Sequence, residues 1–386
     1  MAVIIPQVIT NRSGAQVIDG SLKFDSSKKN ELTRTPSSAG NRSTWTWSAW
    51  VKRVKQGSDT VLFAASNGTG TVSRGGFFFD NTNDLRFFSN PSGSSETANF
   101  NTNGLFRDTA WYHVVLQIDT TQSTDTDRIK IYVNGERQTP SSATYMAQYE
   151  QAAFNQDFLH TIGSYQNLDY GDYHLTNVYF IDGQALGPEE FGFTDPLTNT
   201  WKPKKFSGSF TNSSPNNGTT WSGQVTGSFY GGNYDETEMF DGSLSSVAQS
   251  TGATWTTNIP FTTLRIYGQI YGAGSRSISV NGTDVTSQLG SDGDARAWHT
   301  ITGVSSPLTS IQWDGTSYIG ATPNLIGLSA IEIDGTILID GANHTGVNSF
   351  YLPMDGNSPI GKDQSGNGND FTPVNFGGSV ALDNPQ

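Results

Sequence analysis

Four short runs of β-forming residues each end in Asn-Gly or Asp-Gly, and a second such run follows each of them. Asn or Asp followed by Gly can adopt positive φ at both turn positions, which a two-residue hairpin needs because its twist must match the strands that it joins. The flanking residues are β-branched or aromatic, as is typical of strands. The pattern predicts an antiparallel all-β protein with hairpin turns at Asn134-Gly135, Asp182-Gly183, Asn281-Gly282 and Asp334-Gly335.

Strict alternation of apolar and polar residues predicts further strands. Residues 44–52 place their apolar side chains on one face and their polar side chains, together with Trp50, on the other. Residues 111–119 alternate in the same way, with His113 among the residues of the polar face. One segment differs, since Pro188 followed by two acidic residues predicts a single helical turn. The apolar face of the first of these strands consists of Trp45, Trp47, Ala49 and Val51.

The length of the chain and one polar stretch predict two sandwiches. At 386 residues the chain suits two β-sandwich domains better than one. Ser, Asn, Gly and Thr dominate residues 207–222, which we interpret as a linker, and the basic residues 201–205 read as solvated linker as well. Residues 1–20 lack a clear period and form either an arm that docks on another subunit or a loosely held terminus. The predicted parts are an arm at 1–20, a first sandwich at 21–206, the linker at 207–222, a second sandwich at 223–345 and a C-terminal segment at 346–386.

Composition and charge narrow the function. Hydrophobic residues make up 34% of the chain, but nine Trp, 14 Tyr and 22 Phe can fill sandwich cores. A net charge of −13 argues against binding to nucleic acid or to an anionic membrane. The absence of cysteine excludes disulfides, zinc-thiolate sites and thiol nucleophiles. The sequence starts without a secretory signal and holds no apolar stretch long enough to span a membrane, so we expect a soluble protein made in a cytoplasm.

The first predicted sandwich carries a series of short motifs in one order along the chain. They are SLKF at 21–24, WSAWVK at 47–52, WYHVV at 111–115, IYVNG at 131–135, IG at 162–163 and LTNVYFIDGQALGPEE at 175–190. In order and spacing these motifs resemble the laminin-G-like, concanavalin A-like jelly-roll family. The resemblance implies a jelly-roll fold and says little about activity.

The second predicted sandwich has looser cues. MFDG at 239–242, the strand around Trp255, the hairpin at 281–282 and the closing IEIDG at 331–335 follow one another along it. Together they resemble a galactose-binding-like, or discoidin-like, β-sandwich.

The C-terminal segment departs from the usual order of such domains. FYLPMD at 350–355 and DQSGNGNDF at 363–371 resemble the segment that opens a laminin-G-like domain, but here they end the chain. One hypothesis is that residues 350–354 return across the inserted second sandwich and complete the first, because the edge of a sandwich needs a partner. The alternative is the remnant of an unfinished third domain.

The combination of these parts resembles virion proteins of marine bacteriophages. That resemblance implies a non-enzymatic structural protein on the exterior of the particle, either associated with the tail or fibre or decorating the capsid. Its partners would be other virion proteins and further copies of itself, a trimer being one option, together with a host surface glycan. The alternative functions are a carbohydrate-binding host-receptor module and a glucan hydrolase.

The sequence contains no recognisable catalytic motif. Glucanases of the same superfamily carry Glu-x-Asp-x-x-Glu on one strand, and the nearest match has Glu332 and Asp334 but Ile337 in place of the last acid. The five histidines are scattered, and we interpret His113 and His299 as ordinary strand residues. We therefore expect no enzyme activity.

One polar loop could hold a hard cation. Calcium prefers clustered carboxylate, amide and carbonyl oxygens, and the C-terminal loop supplies them. The alternative is a set of Asx-turns in which these side chains cap their own backbone. No cofactor is required, and calcium is the one candidate, with ligands from Asp363, Asn367, Asn369 and Asp370.

Sugar binding would need an aromatic platform beside amide and carboxylate groups. The sequence marks Trp50, Trp298 and Tyr318 as exposed aromatics, and the loop at 230–235 has the best mixture of aromatic, amide and acidic residues. An ordinary structural role is the alternative for each of them. The predicted glycan-binding residues are Trp221, Tyr230, Asn233, Tyr234 and Asp235.

Overall fold

The described chain is built almost entirely of β-strands, and every described strand pair is antiparallel. The computed structural model describes residues 16–377 except 231–232, 273–274 and 320–321, and it describes only the backbone of 316–319 and 322–324. Most of the predicted N-terminal arm therefore lies outside the described residues. The prediction of an antiparallel all-β fold is confirmed.

The described residues form 26 strands and six 3-10 helices. The strands are β1 Leu22–Phe24, β2 Glu31–Arg34, β3 Thr44–Arg53, β4 Thr60–Ser66, β5 Arg74–Phe79, β6 Leu85–Asn90, β7 Ala98–Thr102, β8 Trp111–Asp119, β9 Ile129–Val133, β10 Glu136–Arg137, β11 Pro140–Thr144, β12 Leu159–Ile162, β13 Tyr173–Asp182, β14 Gly192–Asp195, β15 Thr200–Pro203, β16 Val225–Phe229, β17 Ala248–Ile259, β18 Leu264–Tyr271, β19 Arg276–Val280, β20 Thr283–Asp284, β21 Ala297–Ile301, β22 Leu308–Ile319, β23 Thr322–Ile333, β24 Thr336–Ile337, β25 Phe350–Leu352 and β26 Thr372–Val374. The 3-10 helices are Ser26–Lys28, Asp125–Asp127, Pro188–Glu190, Ser222–Gln224, Glu236–Met239 and Thr286–Leu289. None of these helices has the length or hydrophobicity that crossing a membrane requires.

The chain divides into two units, and the second is inserted into the first. Unit 1 consists of residues 1–212 and 345–386, and unit 2 of residues 213–344. The amide of Asn212 donates to the carbonyl of Thr345 over 3.0 Å, so the chain leaves unit 1 and re-enters it at hydrogen-bonded residues. Unit 2 begins before the end of the stretch interpreted as a linker, because Trp221 packs in its core.

Unit 1 is a sandwich of two antiparallel sheets around an aromatic core. One sheet has seven strands in the order β1-β13-β3-β8-β9-β10, with β25 also paired to β13. The other has eight strands in the order β11-β7-β6-β5-β4-β12-β2-β26. The alternation in β3 points Trp45 and Trp47 into the core, where Trp47 contacts Phe77 and Trp45 contacts Phe154 at ring distances of 5.5 and 5.3 Å.

The C-terminal segment supplies strands to both sheets of unit 1. β25 pairs with β13, with Phe350 opposite Phe180 and Leu352 opposite Val178. β26 pairs with β2 at the edge of the other sheet. This is the arrangement that the hypothesis of a returning segment requires.

Three of the four predicted hairpin turns are present, and the fourth prediction is wrong. Positive φ at both turn residues is seen for Asn134-Gly135, Asn281-Gly282 and Asp334-Gly335, each between paired strands. At Asp182 the strand simply ends, and its buried carboxylate serves another purpose. It accepts hydrogen bonds from the Asn41 amide at 2.8 Å and from the Asn155 side chain at 2.7 Å. Burial raises the pKa of Asp182 to about 6.

The outer face of the seven-stranded sheet is partly covered by a hairpin of β14 and β15. The predicted helical turn is confirmed as the 3-10 helix Pro188–Glu190, and it leads into this hairpin. Residues 201–205 are therefore not a solvated linker, because β15 pairs with β14 and its Trp201 is half-buried. Under the hairpin lies a second apolar cluster formed by Val115, Tyr179, Ile181, Phe191, Phe206 and Tyr351.

Unit 2 has one nine-stranded antiparallel sheet system in the order β20-β19-β22-β17-β23-β18-β21, with β16 on β17 and β24 on β23. Its strands alternate between buried and half-buried residues, most regularly in β18. Trp255 and Trp313 are fully buried in its core. The galactose-binding-like character of this unit stays a prediction.

Replacing Phe350 by Ala tests whether the returning strand stabilises unit 1. Phe350 is 1% exposed and its ring lies 5.5 Å from Phe180 and 4.8 Å from Phe371. Removing a buried phenyl ring leaves a cavity, so we expect the free energy of unfolding to fall by about 3–5 kcal/mol in urea denaturation. Leu197→Ala is the control, since Leu197 is 90% exposed and its removal should change little. Equal stability of the Phe350 variant and the wild type would contradict the role of this strand.

Candidate functional site

Three tryptophans line a pocket of about 430 Å³ on the outer face of the seven-stranded sheet of unit 1. We call it the tryptophan pocket. Its walls come from β3, β8, the β9–β10 turn, β10 and the β14–β15 hairpin. Aromatic surfaces with a few polar groups among them are typical of small-molecule sites. The lining residues are Trp50, Trp111, Asn134, Glu136, Thr194, Asn199, Thr200 and Trp201.

The strand register brings two of the tryptophans to one face. Trp50 on β3 lies opposite His113 on β8, and Trp111 is two residues before His113. Because side chains alternate along a strand, Trp111, His113 and Trp50 all point away from the core of the sandwich. Trp50 is 8% exposed, whereas Trp111 is half-buried.

The third tryptophan is held by tight packing. The Trp201 and His113 rings lie nearly parallel, at an interplanar angle of 24°, with their centres 5.9 Å apart. Gly135 and Gly192 lie against the same indole, and a Cβ atom would come within 2.6 Å of it at Gly135 and 2.4 Å at Gly192. Gly135 also has a φ of 85°, which favours glycine. These contacts fix the plane of the Trp201 ring.

His113 lies beneath the pocket and is 1% exposed. Its Nδ1 accepts a hydrogen bond from the Trp201 indole nitrogen over 2.9 Å, and its Nε2 lies 2.9 Å from the Ser48 hydroxyl. An indole N–H can only donate, so Nδ1 is unprotonated and the ring proton sits on Nε2. Burial lowers the pKa of His113 to about 3, so the ring is neutral near pH 7.

The polar residues of the pocket are held on ordered turns. The side-chain oxygen of Asn134 accepts from the His113 amide over 2.8 Å, which locks the turn onto β8. Glu136 follows on β10 and is exposed. It is the one carboxylate among the described residues that line the pocket. The pocket can therefore stack a flat apolar face against indole rings and offer amide, hydroxyl and carboxylate groups to hydroxyls.

Trp221, predicted as a glycan-binding residue, is a core residue of unit 2. It is 4% exposed, and its indole nitrogen donates to the Asn216 side chain over 3.1 Å. Its ring packs edge-on against Trp255 at 6.2 Å. Trp221 also lines a cavity of about 820 Å³. The prediction of an exposed platform is wrong at this residue, because its ring packs into the core of unit 2.

The loop at 230–235 does bring its predicted residues together. The rings of Tyr230 and Tyr234 lie 6.2 Å apart, and Tyr234 is 38% exposed. Asn233 is exposed as well. Asp235 caps the following 3-10 helix by accepting from the Thr237 amide over 3.0 Å, so one of its oxygens has a structural role.

Two further aromatics from the sequence analysis are not open platforms. Trp298 lies beneath the Arg265 guanidinium at 4.8 Å and against Tyr267 at 5.2 Å. The side chain of Tyr318 lies outside the described residues.

The predicted calcium ligands take part in a network of hydrogen bonds around β25, which we call the C-terminal network. Asp363 accepts from the amides of Tyr351, Ser365 and Asn369 over 2.8–2.9 Å. Asp370 accepts from the Asp363 amide over 2.9 Å and from Lys362 over 2.7 Å. The side-chain amides of Asn367 and Asn369 both donate to the backbone carbonyl of Ser349, over 3.1 and 2.7 Å. Within the described ranges, no group of three or more His, Cys, Asp or Glu side chains is placed to hold a metal ion.

Sequence reasoning identified one wall of the tryptophan pocket and missed the others. Trp50 lines the pocket, but the prediction that it is exposed is wrong, because only 8% of it is accessible. Trp111, Asn134 and Glu136 were not predicted as site residues. Trp201 was assigned to a linker. The available signal was the alternation in residues 111–119, which already places Trp111 and His113 on one face.

Comparison with known proteins agrees with the architecture of unit 1. Residues 26–184 match the family model of the Concanavalin A-like lectin/glucanases superfamily. The first sandwich therefore has the concanavalin A-like fold that its motifs predict. A search of curated proteins gave no match.

Solved structures with similar folds have low sequence identity to this chain. A heptameric SAP-like pentraxin from Limulus polyphemus is 15% identical, with 45% of this chain and 80% of the pentraxin covered and a TM-score of 0.33. A Trypanosoma rangeli sialidase is 16% identical, with 46% and 27% covered and a TM-score of 0.29. Tailspike protein 2 of the Escherichia coli O157:H7 bacteriophage CAB120 is 14% identical, with 48% and 28% covered and a TM-score of 0.29. The chain thus spans just over a quarter of the sialidase and of the tailspike.

Replacing Asp363 by Ala tests whether the C-terminal network stabilises unit 1. The variant removes the acceptor of one buried and two part-buried backbone amides, so we expect the free energy of unfolding to fall by about 2 kcal/mol or more. The loss should be the same in calcium and in EDTA, measured by thermal and urea denaturation. Asp355→Ala is the matched control, since among the described residues Asp355 accepts hydrogen bonds from the exposed Asn357 alone. A wild type that calcium stabilises and EDTA destabilises would instead support the predicted calcium site.

Proposed function

We propose that the protein is a non-enzymatic carbohydrate-binding protein and that the tryptophan pocket is its sugar site. The observation that carries the proposal is the convergence of Trp50, Trp111 and Trp201 beside amide, hydroxyl and carboxylate groups in one pocket. Indole faces pack on the C–H face of a sugar ring, and the polar groups orient its hydroxyls. The match of residues 26–184 to a superfamily of lectins and glucanases supports the proposal.

Binding fits the pocket better than hydrolysis does. A retaining glycosidase needs two carboxyl groups roughly 5–5.5 Å apart across the scissile bond. The described lining of the pocket offers Glu136 alone. Glu332, from the nearest glucanase-like motif, is 3% exposed and forms a two-pronged ion pair with Arg265 at 3.0 and 3.1 Å. Its carboxylate is therefore engaged within the β18–β23 pair rather than free for a substrate.

The biological setting that we propose is the exterior of a bacteriophage particle. This part of the proposal rests on the sequence resemblance of the two sandwiches and the Gly/Asn-rich tail to virion proteins. The protein would be tail- or fibre-associated or would decorate the capsid, next to other virion proteins. Several copies in a homo-oligomer would convert weak binding to a host surface glycan into avidity. Sugar binding in the tryptophan pocket needs no cofactor. Calcium binding at the C-terminal network stays a prediction, which the denaturation experiment in calcium and in EDTA tests.

Replacing Trp111 by Ala tests the sugar site. Trp111 lines the pocket and is half-buried, so the variant should fold while losing one stacking surface. We expect roughly a tenfold loss of affinity for the best glycan found on an array, measured by isothermal titration calorimetry. Leu168→Ala is the control, because Leu168 is 62% exposed and does not line the pocket. Unchanged affinity of a folded Trp111 variant would refute this pocket as the binding site.

The loop at 230–235 is a second candidate site, favoured by its paired tyrosine rings. If it contacts the host, a Tyr230→Ala, Tyr234→Ala double variant should adsorb to cells more weakly while assembling normally. Adsorption assays on particles that carry either this variant or Trp111→Ala separate the two sites. Normal adsorption of the double variant would eliminate the loop and leave the tryptophan pocket.

A further inference from the structure

His113 lies buried beneath the tryptophan pocket. Its ring lies between two indoles, 5.1 Å from Trp50 at an angle of 31° and 5.9 Å from Trp201 at 24°. At 1% exposure its side chain is covered by these rings and cannot reach a bound sugar. Any effect of His113 on binding must therefore pass through its neighbours.

Both ring nitrogens of His113 have a fixed task. Nδ1 accepts from the Trp201 indole, and Nε2 donates to the Ser48 hydroxyl. The indole nitrogen is the single polar atom in the side chain of Trp201, so this hydrogen bond sets the rotation of the indole within its plane. Gly135 and Gly192 close on the same ring and limit its tilt. Two glycines and one histidine thus determine the orientation of Trp201.

We propose that His113 is the positioning residue of the tryptophan pocket, and that sugar affinity depends on its neutral Nε2–H form holding the Trp201 indole in place. The inference rests on the proposed function for its ligand. The part of it that concerns the positioning of Trp201 by His113 does not depend on any ligand.

Protonation of His113 would undo this arrangement. A charged imidazole carries a proton on Nδ1, which would face the indole N–H and could no longer accept from it. Glu136 lines the pocket. By register, the titratable side chains on the outer face of β3, β8, β9, β10 and β13 are Lys52, Asp119, Lys130, Tyr132, Arg137, His174 and Tyr179. The shift in pKa comes from burial, which places the folded value near 3 and below the ordinary value. Because the pKa of His113 is lowered on folding, the contribution of its neutral form to stability is present near neutral pH and is lost as the pH falls towards 3.

Two variants separate the acceptor atom from the ring. His113→Phe keeps a flat ring between the indoles but removes the acceptor for Trp201 and the partner of Ser48. His113→Asn gives up the ring but places an amide oxygen close to the position of Nδ1. The readouts are the Trp201 indole N–H resonance in ¹H–¹⁵N spectra, assigned with Trp201→Phe, and the affinity for a panel of cello-, laminari- and malto-hexaose. Long-range ¹H–¹⁵N spectra of the wild type give the tautomer directly.

We expect the Nε2–H tautomer in the wild type at pH 7. We also expect a displaced Trp201 resonance and roughly tenfold weaker sugar binding in His113→Phe, and a largely restored resonance and affinity in His113→Asn. An Nδ1–H tautomer, or an unchanged Trp201 resonance in His113→Phe, would overturn the positioning role. A wild type that binds no sugar would refute the proposed function and the affinity half of this inference. Two measurements without a ligand would still decide whether His113 positions Trp201. They are the tautomer of His113 in the wild type and the indole resonance of Trp201 in the His113 variants.

Discussion

The pairing of β25 with β13 is the interaction on which unit 1 depends. It joins residues on both sides of an insertion of more than a hundred residues, and it carries Phe350 into the core beside Phe180 and Phe63. Without it, the part of β13 next to Val178 would be an open edge and the core would lack one wall. The outer face depends on it as well, because Tyr351 of β25 stacks on Tyr179 at 4.3 Å beneath the β14–β15 hairpin. That hairpin carries Trp201 to its place.

Local patterns in the sequence predicted the fold well because local physics determines those features. Alternation set the inner face of β3, and the Asn-Gly and Asp-Gly dipeptides formed two-residue hairpins at three of the four predicted positions. Asp182-Gly183 shows the limit of this reasoning. Its dipeptide is suited to a turn, but the carboxylate is recruited by Asn41, Asn155 and Asn348 from distant parts of the chain. A local sequence pattern cannot reveal hydrogen bonds with residues that are distant along the chain.

The candidate site was predictable only in part, because it is assembled by long-range contacts. Trp50 and Trp111 share a face through the register of β3 with β8, which two separate alternating runs do not specify. Trp201 joins them through the docking of a hairpin whose sequence reads as a polar, basic linker. Trp221 shows the converse error, since a tryptophan that follows a polar stretch is buried in the core of unit 2.

The hydrogen bond between Asn212 and Thr345 has a consequence for how such a chain diversifies. The two points at which unit 2 is attached are neighbours, so the host sandwich needs no rearrangement to accept or release an insert there. Joining these two residues would close unit 1 with a tight connection, and another domain with adjacent termini would fit the same gap. An exchange of the inserted domain at this junction would therefore leave the core of unit 1 and the tryptophan pocket unchanged.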